Sequence, residues 1–142
     1  MRFDFVRDNI ENIFYSLGLE DMEQVEKELN LTFPIELKQF YLEIGYGFFK
    51  GSEYQINRLM DPESIRDFRL RVDDYEFYPD IEIFDEVEKD KLVFFEGDES
   101  TTILIGLGNS ERSPIYLFDT LIANSLKEFL EKIMVDDLYY IK

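Results

Sequence analysis

Between residues 73 and 99 the chain carries twelve carboxylates: Asp73, Asp74, Glu76, Asp80, Glu82, Asp85, Glu86, Glu88, Asp90, Glu96, Asp98 and Glu99. Only two cations, Lys89 and Lys91, stand among them. Carboxylates at this density suit three kinds of chemistry. A pair at a fixed separation performs hydrolytic acid–base work, several oxygens together hold a hard cation, and a charged row meets Lys and Arg in charge-assisted hydrogen bonds. Closeness in a turn such as Glu96-Gly97-Asp98-Glu99 does not set a catalytic separation. The alternating acids, central Gly and terminal Glu of a calcium loop are absent. The third chemistry fits best, with Asp73, Asp74, Glu76, Asp80, Glu82, Asp85, Glu86, Glu88, Glu96, Asp98 and Glu99 as the candidate partner-binding residues. The competing structural reading is a solvated loop and strand edge whose charge deters aggregation. Tyr75, Phe77 and Tyr78 lie among the acids and read either as interface anchors or as core.

The other chemistry-bearing side chains are missing. The 142 residues contain no His and no Cys, which removes the usual neutral-pH base, thiolate nucleophiles and zinc–thiolate sites. The glycines of Gly45-Tyr46-Gly47 and Gly106-Leu107-Gly108 lack the third glycine of a dinucleotide loop and the Gly-Lys-Ser/Thr ending of a P-loop. No metal, cofactor or catalytic residue is therefore expected. With 15 Lys and Arg against 32 Asp and Glu the net charge is −17. Such a field repels nucleic acid and anionic membranes and speeds encounter with basic proteins, besides keeping the chain soluble. Acids interrupt every apolar stretch after Met1-Arg2-Phe3-Asp4, so neither a signal peptide nor a membrane span is expected, and a cytoplasmic location follows.

The elements that hold these groups read as α+β. Apolar spacing predicts a helix over 4–16, from Val6 to Leu17, and a second from about Asp21 to Leu29 capped by Asn30. A third runs from Pro34 to Ile44 and is ended by Gly45 and Gly47. Tyr54 and Ile56 alternate as a short strand. Asp61-Pro62-Glu63 opens a helix to about Asp73. Strands are predicted around Ile81 and Ile83, and over 92–95, 103–105 and 115–118, with Glu96 to Glu99 as a turn. The unbroken apolar runs suggest burial on both faces. Ser125 starts a closing helix carrying Leu126, Phe129, Leu130, Ile133 and Met134, and Tyr139-Tyr140-Ile141 is either an edge strand or a docking segment. No repeat or linker appears, so residues 1–142 read as one domain. Its sheet is mostly antiparallel and curled, with about five strands between N-terminal helices and a C-terminal helix.

Glu26, Leu29, Phe33-Pro34, Leu37, Phe40-Tyr41 and Gly45-Tyr46-Gly47 resemble the front half of the Smi1/Knr4 (SUKH superfamily) proteins. Gly97-Asp98, Thr102 to Ile105, Pro114 to Asp119 and the helix with Ser125-Leu126 and Phe129-Leu130 resemble their rear half. The chain has Phe33 where the family often has Leu, and Gly45-Tyr46-Gly47 where it often has Asn-Gly-Gly. The resemblance implies helices packed on a partly curled sheet and a non-catalytic protein-binding role. Bacterial members look like immunity proteins that neutralise a toxin, frequently a nuclease, and fungal members are similar to regulatory hubs for cell-wall synthesis and signalling. With the charge, it predicts an immunity protein meeting a basic, nuclease-type toxin. The alternatives are a regulatory scaffold module and, more remotely, a carboxylate-based hydrolase.

Overall fold

In a computed structural model, which describes residues 1–141, the chain builds one seven-stranded antiparallel meander in the order of the sequence. The strands are β1 (Ile13–Tyr15), β2 (Tyr46–Phe48), β3 (Arg58–Leu59), β4 (Lys91–Asp98), β5 (Thr101–Gly106), β6 (Ile115–Leu117) and β7 (Thr120–Ala123). Four α-helices accompany them: α1 (Leu19–Leu29), α2 (Ile35–Glu43), α3 (Pro62–Leu70) and α4 (Leu126–Val135). The class is α+β, as expected. The strand count is seven rather than about five.

The added strands are β1, β2 and β3 at one end of the sheet and β7 at the other, while two of the expected strands do not form. A helix was expected over residues 4–16; instead a 3-10 turn over Asp4–Asp8 is followed by β1. Asn12 explains the break, because its side chain serves two separate backbones. Nδ2 donates to the Val6 carbonyl at 2.7 Å, and Oδ1 accepts from Lys50 N–H at 2.7 Å. This local bonding competes with a helical ladder, and the Ile-Phe-Tyr run after it suits a strand. Gly45, with φ of 112°, follows the end of α2 as predicted, whereas Gly47, with φ of 151°, lies within β2; both let β1 approach. A Cβ on Gly45 would stand 1.9 Å from the Tyr15 carbonyl oxygen. At the opposite end β6 and β7 turn through Phe118 and Asp119, with Leu117 opposite Thr120.

Helix boundaries follow local chemistry. Asn30 caps α1 in the left-handed region at φ 52°. Asp61 accepts from Ser64 N–H at the start of α3, and Pro62 occupies its first turn. Two strand expectations fail. Tyr54 and Ile56 lie in a loop, because Ile56 N–H and Asn57 N–H both turn to the Gly97 carbonyl before pairing begins at Arg58. Ile81 and Ile83 lie in a 3-10 turn over Ile81–Phe84, where burial follows a spacing of three: Ile81 and Phe84 point inward and Ile83 is exposed. The Glu96–Glu99 turn is also shifted, since β4 continues through Asp98 and the chain reverses at Glu99 and Ser100.

The runs Leu92 to Phe95 and Ile103 to Ile105 are buried throughout, as continuous apolar strands should be. Phe14, Phe49, Phe95 and Phe129 form a chain of ring contacts at 5.1–6.1 Å along one face of the sheet. The register places Leu59 opposite Phe95 and Arg58 opposite Glu96. Arg58 and Glu96 therefore project from the other face, where the acidic segment lies.

Candidate partner-binding surface

The acidic stretch between α3 and β4 has little regular structure. It consists of 3-10 turns at Asp73–Tyr75, Ile81–Phe84 and Val87–Lys89. Two arginines at the end of α3 fasten it. Arg69 donates to the Glu88 and Lys91 carbonyls, each at 3.0 Å. Arg71, in the left-handed region at φ 61°, donates to the Phe68 carbonyl, to both oxygens of Glu88 at 3.1 Å and to Asp85 at 2.8 Å. The apolar side of the fastening is Phe68. Its ring meets Tyr75, Tyr78 and Phe84 edge-on at 5.0–5.5 Å, and the Arg71 guanidinium lies over it. The aromatics thus divide: Tyr75 and Tyr78 pack inward, while Phe77 is 88% exposed.

The eleven candidate carboxylates divide as well. Asp73, Asp74, Glu76, Asp80, Glu82 and Glu99 are exposed and make no ion pair among the described residues. Asp85 and Glu86 are exposed but paired, with Arg71 and Lys89. Glu88 is buried beneath Arg71, and burial pushes its carboxyl above the usual range against the pull of that guanidinium. Glu96 is held by Arg58 at 2.6 Å, and that guanidinium also reaches the Tyr75 hydroxyl. Asp98 accepts from Ser100 N–H at 2.9 Å, fixing the β4–β5 turn. Glu88 and Glu96 act within the fold, since a side chain committed to an internal guanidinium has little left to offer a partner.

At this turn the structure adds a residue that sequence reading missed. Two hollows adjoin along Glu99 and Ser100. One, of about 670 Å³, is lined by Tyr54, Gln55, Ile56 and Asp98, and the other, of about 210 Å³, by Tyr78, Pro79, Asp80, Ile83 and Phe84. Tyr54 is 85% exposed, with φ of 74°, a conformation costly for a bulky side chain. Nothing near residue 54 in the sequence signals its approach to residue 99. The loop is placed by Gln55, whose Nε2 donates to the Gly97 carbonyl and to the Tyr140 hydroxyl. Tyr140 is buried, so Tyr139–Ile141 is neither an edge strand nor a free tail but a 3-10 turn packed on the core.

Compared with known proteins, the chain matches the SUKH_6 family profile, described as SMI1-KNR4 cell-wall, over residues 19–130. The chain belongs to the SMI1-KNR4 family. The matched region runs from the first residue of α1 into α4 and includes the whole acidic stretch. This SMI1-KNR4 chain is also 56% identical to a Bacillus subtilis (strain 168) protein named Immunity protein YxxD, over 99% of this chain and 96% of the relative. No solved structure matches it. Among the described residues no helix is long and apolar enough to cross a membrane, and no group of three or more acidic side chains is placed to hold a metal ion.

Proposed function

We propose that this SMI1-KNR4 protein is an immunity protein that binds and neutralises a toxin in the cytoplasm of the cell that makes it. The supporting observation is the 56% identity, over nearly its whole length, to a protein named for immunity. At that identity and coverage the fold and the general manner of action are expected to be shared. The charge specifies the partner further. A net −17, with a −10 segment held against α3 by arginines, favours a basic toxin of nuclease type, whose groove for a phosphate backbone is a natural receptor for rows of carboxylates. Action is stoichiometric, with no cofactor and no turnover. The long-range field hastens encounter, and close contacts retain the complex.

The experiment is a search for a toxin gene beside this one, followed by co-expression of this chain with the toxin so found. Growth should be restored by this chain, and binding of the purified pair should weaken as salt is raised. Continued killing in the presence of the folded chain would refute the immunity role. Salt-independent binding would refute its electrostatic basis.

A further inference from the structure

We infer that the two adjoining hollows at the β4–β5 turn form an anchor site for a basic segment of a partner protein carrying an apolar side chain at its centre. This rests on the partner-binding reading above and specifies which contact holds the complex once charge has brought it together. Three observations carry it. First, Tyr54 and Ile83, which line the hollows, are 85% and 53% exposed. Large apolar groups beside concave surface are the usual anchors of an interface, and here they are unpartnered. Second, the carboxylates lining the hollows are Asp80, Asp98 and Glu99, and among the described residues no Lys or Arg lines either. Asp80 and Glu99 make no ion pair within the fold. The complementary ligand is therefore apolar at its centre and cationic at its flanks; an acidic or purely apolar segment leaves those carboxylates repelled or dry. Third, the site is preformed. Gln55 ties the Tyr54 loop to Gly97 and Tyr140, and Asp98 fixes the turn, so little ordering remains at binding.

The test is an amide NMR titration of the intact chain with three end-blocked hexapeptides of sequence KKLFKK, KKKKKK and EELFEE. The first should shift residues 54–56, 78–84 and 98–100. The lysine-only peptide should bind about tenfold more weakly, and the acidic one should leave the spectrum unchanged. Tyr54→Ala removes an exposed ring and keeps the fold, seen in an otherwise unaltered spectrum. It should weaken KKLFKK about tenfold and leave KKKKKK unaffected. Shifts centred elsewhere, equal binding of the two basic peptides, no binding by either, or an indifferent Tyr54→Ala variant would each overturn the site. Protection from toxin without these shifts would keep the immunity role and discard the site. These shifts without protection would keep the site and discard the immunity role.

Discussion

The Glu36 carboxylate lies 2.7 Å from the Leu126 amide, joining the first turn of α2 to the first turn of α4 across 90 residues of chain. Its Oε1 also accepts from Ser113 N–H, and its Oε2 from Lys127 N–H and the Arg2 guanidinium. Ser125 Oγ accepts from Glu128 N–H. Together these bonds satisfy the first three amides of α4, which have no partner within the helix. A fully buried carboxylate is thus held by donors on every side, and it faces the positive end of the helix dipole.

Replacing Glu36 with Ala leaves the Leu126, Lys127 and Ser113 amides without their acceptor, and a loss of about 3–5 kcal/mol is expected. Glu36→Gln, with one acceptor oxygen instead of two, should lose about 2–3 kcal/mol. Urea unfolding followed by circular dichroism measures both, and Glu23→Gln on the exposed side of α1 serves as the neutral control. Equal stability of Glu36→Gln and the parent would show that the network is dispensable.

Gly97 and Tyr140 form a second dependent pair. A Cβ at residue 97 would sit 2.5 Å from the Tyr140 hydroxyl oxygen and 2.7 Å from its ring carbons. Gly97→Ala must therefore displace the ring and its bonds to Gln55 and Asn57, at an expected cost of about 1–3 kcal/mol. In a Tyr140→Ala background the same substitution should cost much less. A double-mutant cycle on thermal unfolding tests this, and additive losses would contradict it.

Arg71 is expected to govern the order of the acidic stretch. Arg71→Ala should raise amide exchange across residues 73–90 and cost about 2 kcal/mol, since Glu88 remains buried without its partner. The sign of the pH effect follows from burial, which raises the Glu88 carboxyl in the folded state. The burden of a charged Glu88 exists above that raised value and is relieved as pH falls through it. The deficit of Arg71→Ala should therefore narrow on acidification, and Glu88→Gln in the same chain should remove the narrowing. A deficit independent of pH would point to lost packing over Phe68 instead.

Much of this arrangement is legible in residue order, and the exceptions share a cause. Asn30, Asp61-Pro62 and Ser125 mark helix ends because each satisfies or spares a terminal backbone group locally. The unbroken runs of β4 and β5 are legible because burial on both faces leaves no polar alternation. β1 is hidden by apolar positions that imitate a helix. The bonds that decide against the helix, from Asn12 to the Val6 carbonyl and from Lys50 N–H to Asn12, are made by one side chain whose second partner is far along the chain. β7 is hidden because its two-residue turn carries Phe118 at φ 57°, where a Gly or Asn would have signalled it. At the candidate site the acidic charge is plain in composition. Which carboxylates are committed internally is not, since Arg58 and Arg71 select Glu96 and Glu88 through tertiary contact. The approach of Tyr54 to Glu99 is likewise set by a pairing some forty residues apart, of which Gln55 to Gly97 is the visible bond.

Glu128 offers a pH test of opposite sign. The Asn124 amide donates to its carboxylate at 2.8 Å, Lys132 pairs with it one turn on, and these contacts hold its pKa below the ordinary range. A depressed folded value means that its stabilisation is present above the unfolded carboxylate range, about pH 4–5. It is lost as pH falls through the lower folded value. Glu128→Gln should therefore be less stable than the parent at neutral pH, by well under about 1 kcal/mol because the group is solvent-screened. The two chains should converge as the solution is acidified. High salt should shrink the gap at neutral pH by screening Lys132 while sparing the bond from Asn124. Unfolding midpoints of both chains, measured from pH 7 down to the acid transition at low and high salt, decide the matter. A gap that widened toward acid would mean that Glu128 is not held as a carboxylate.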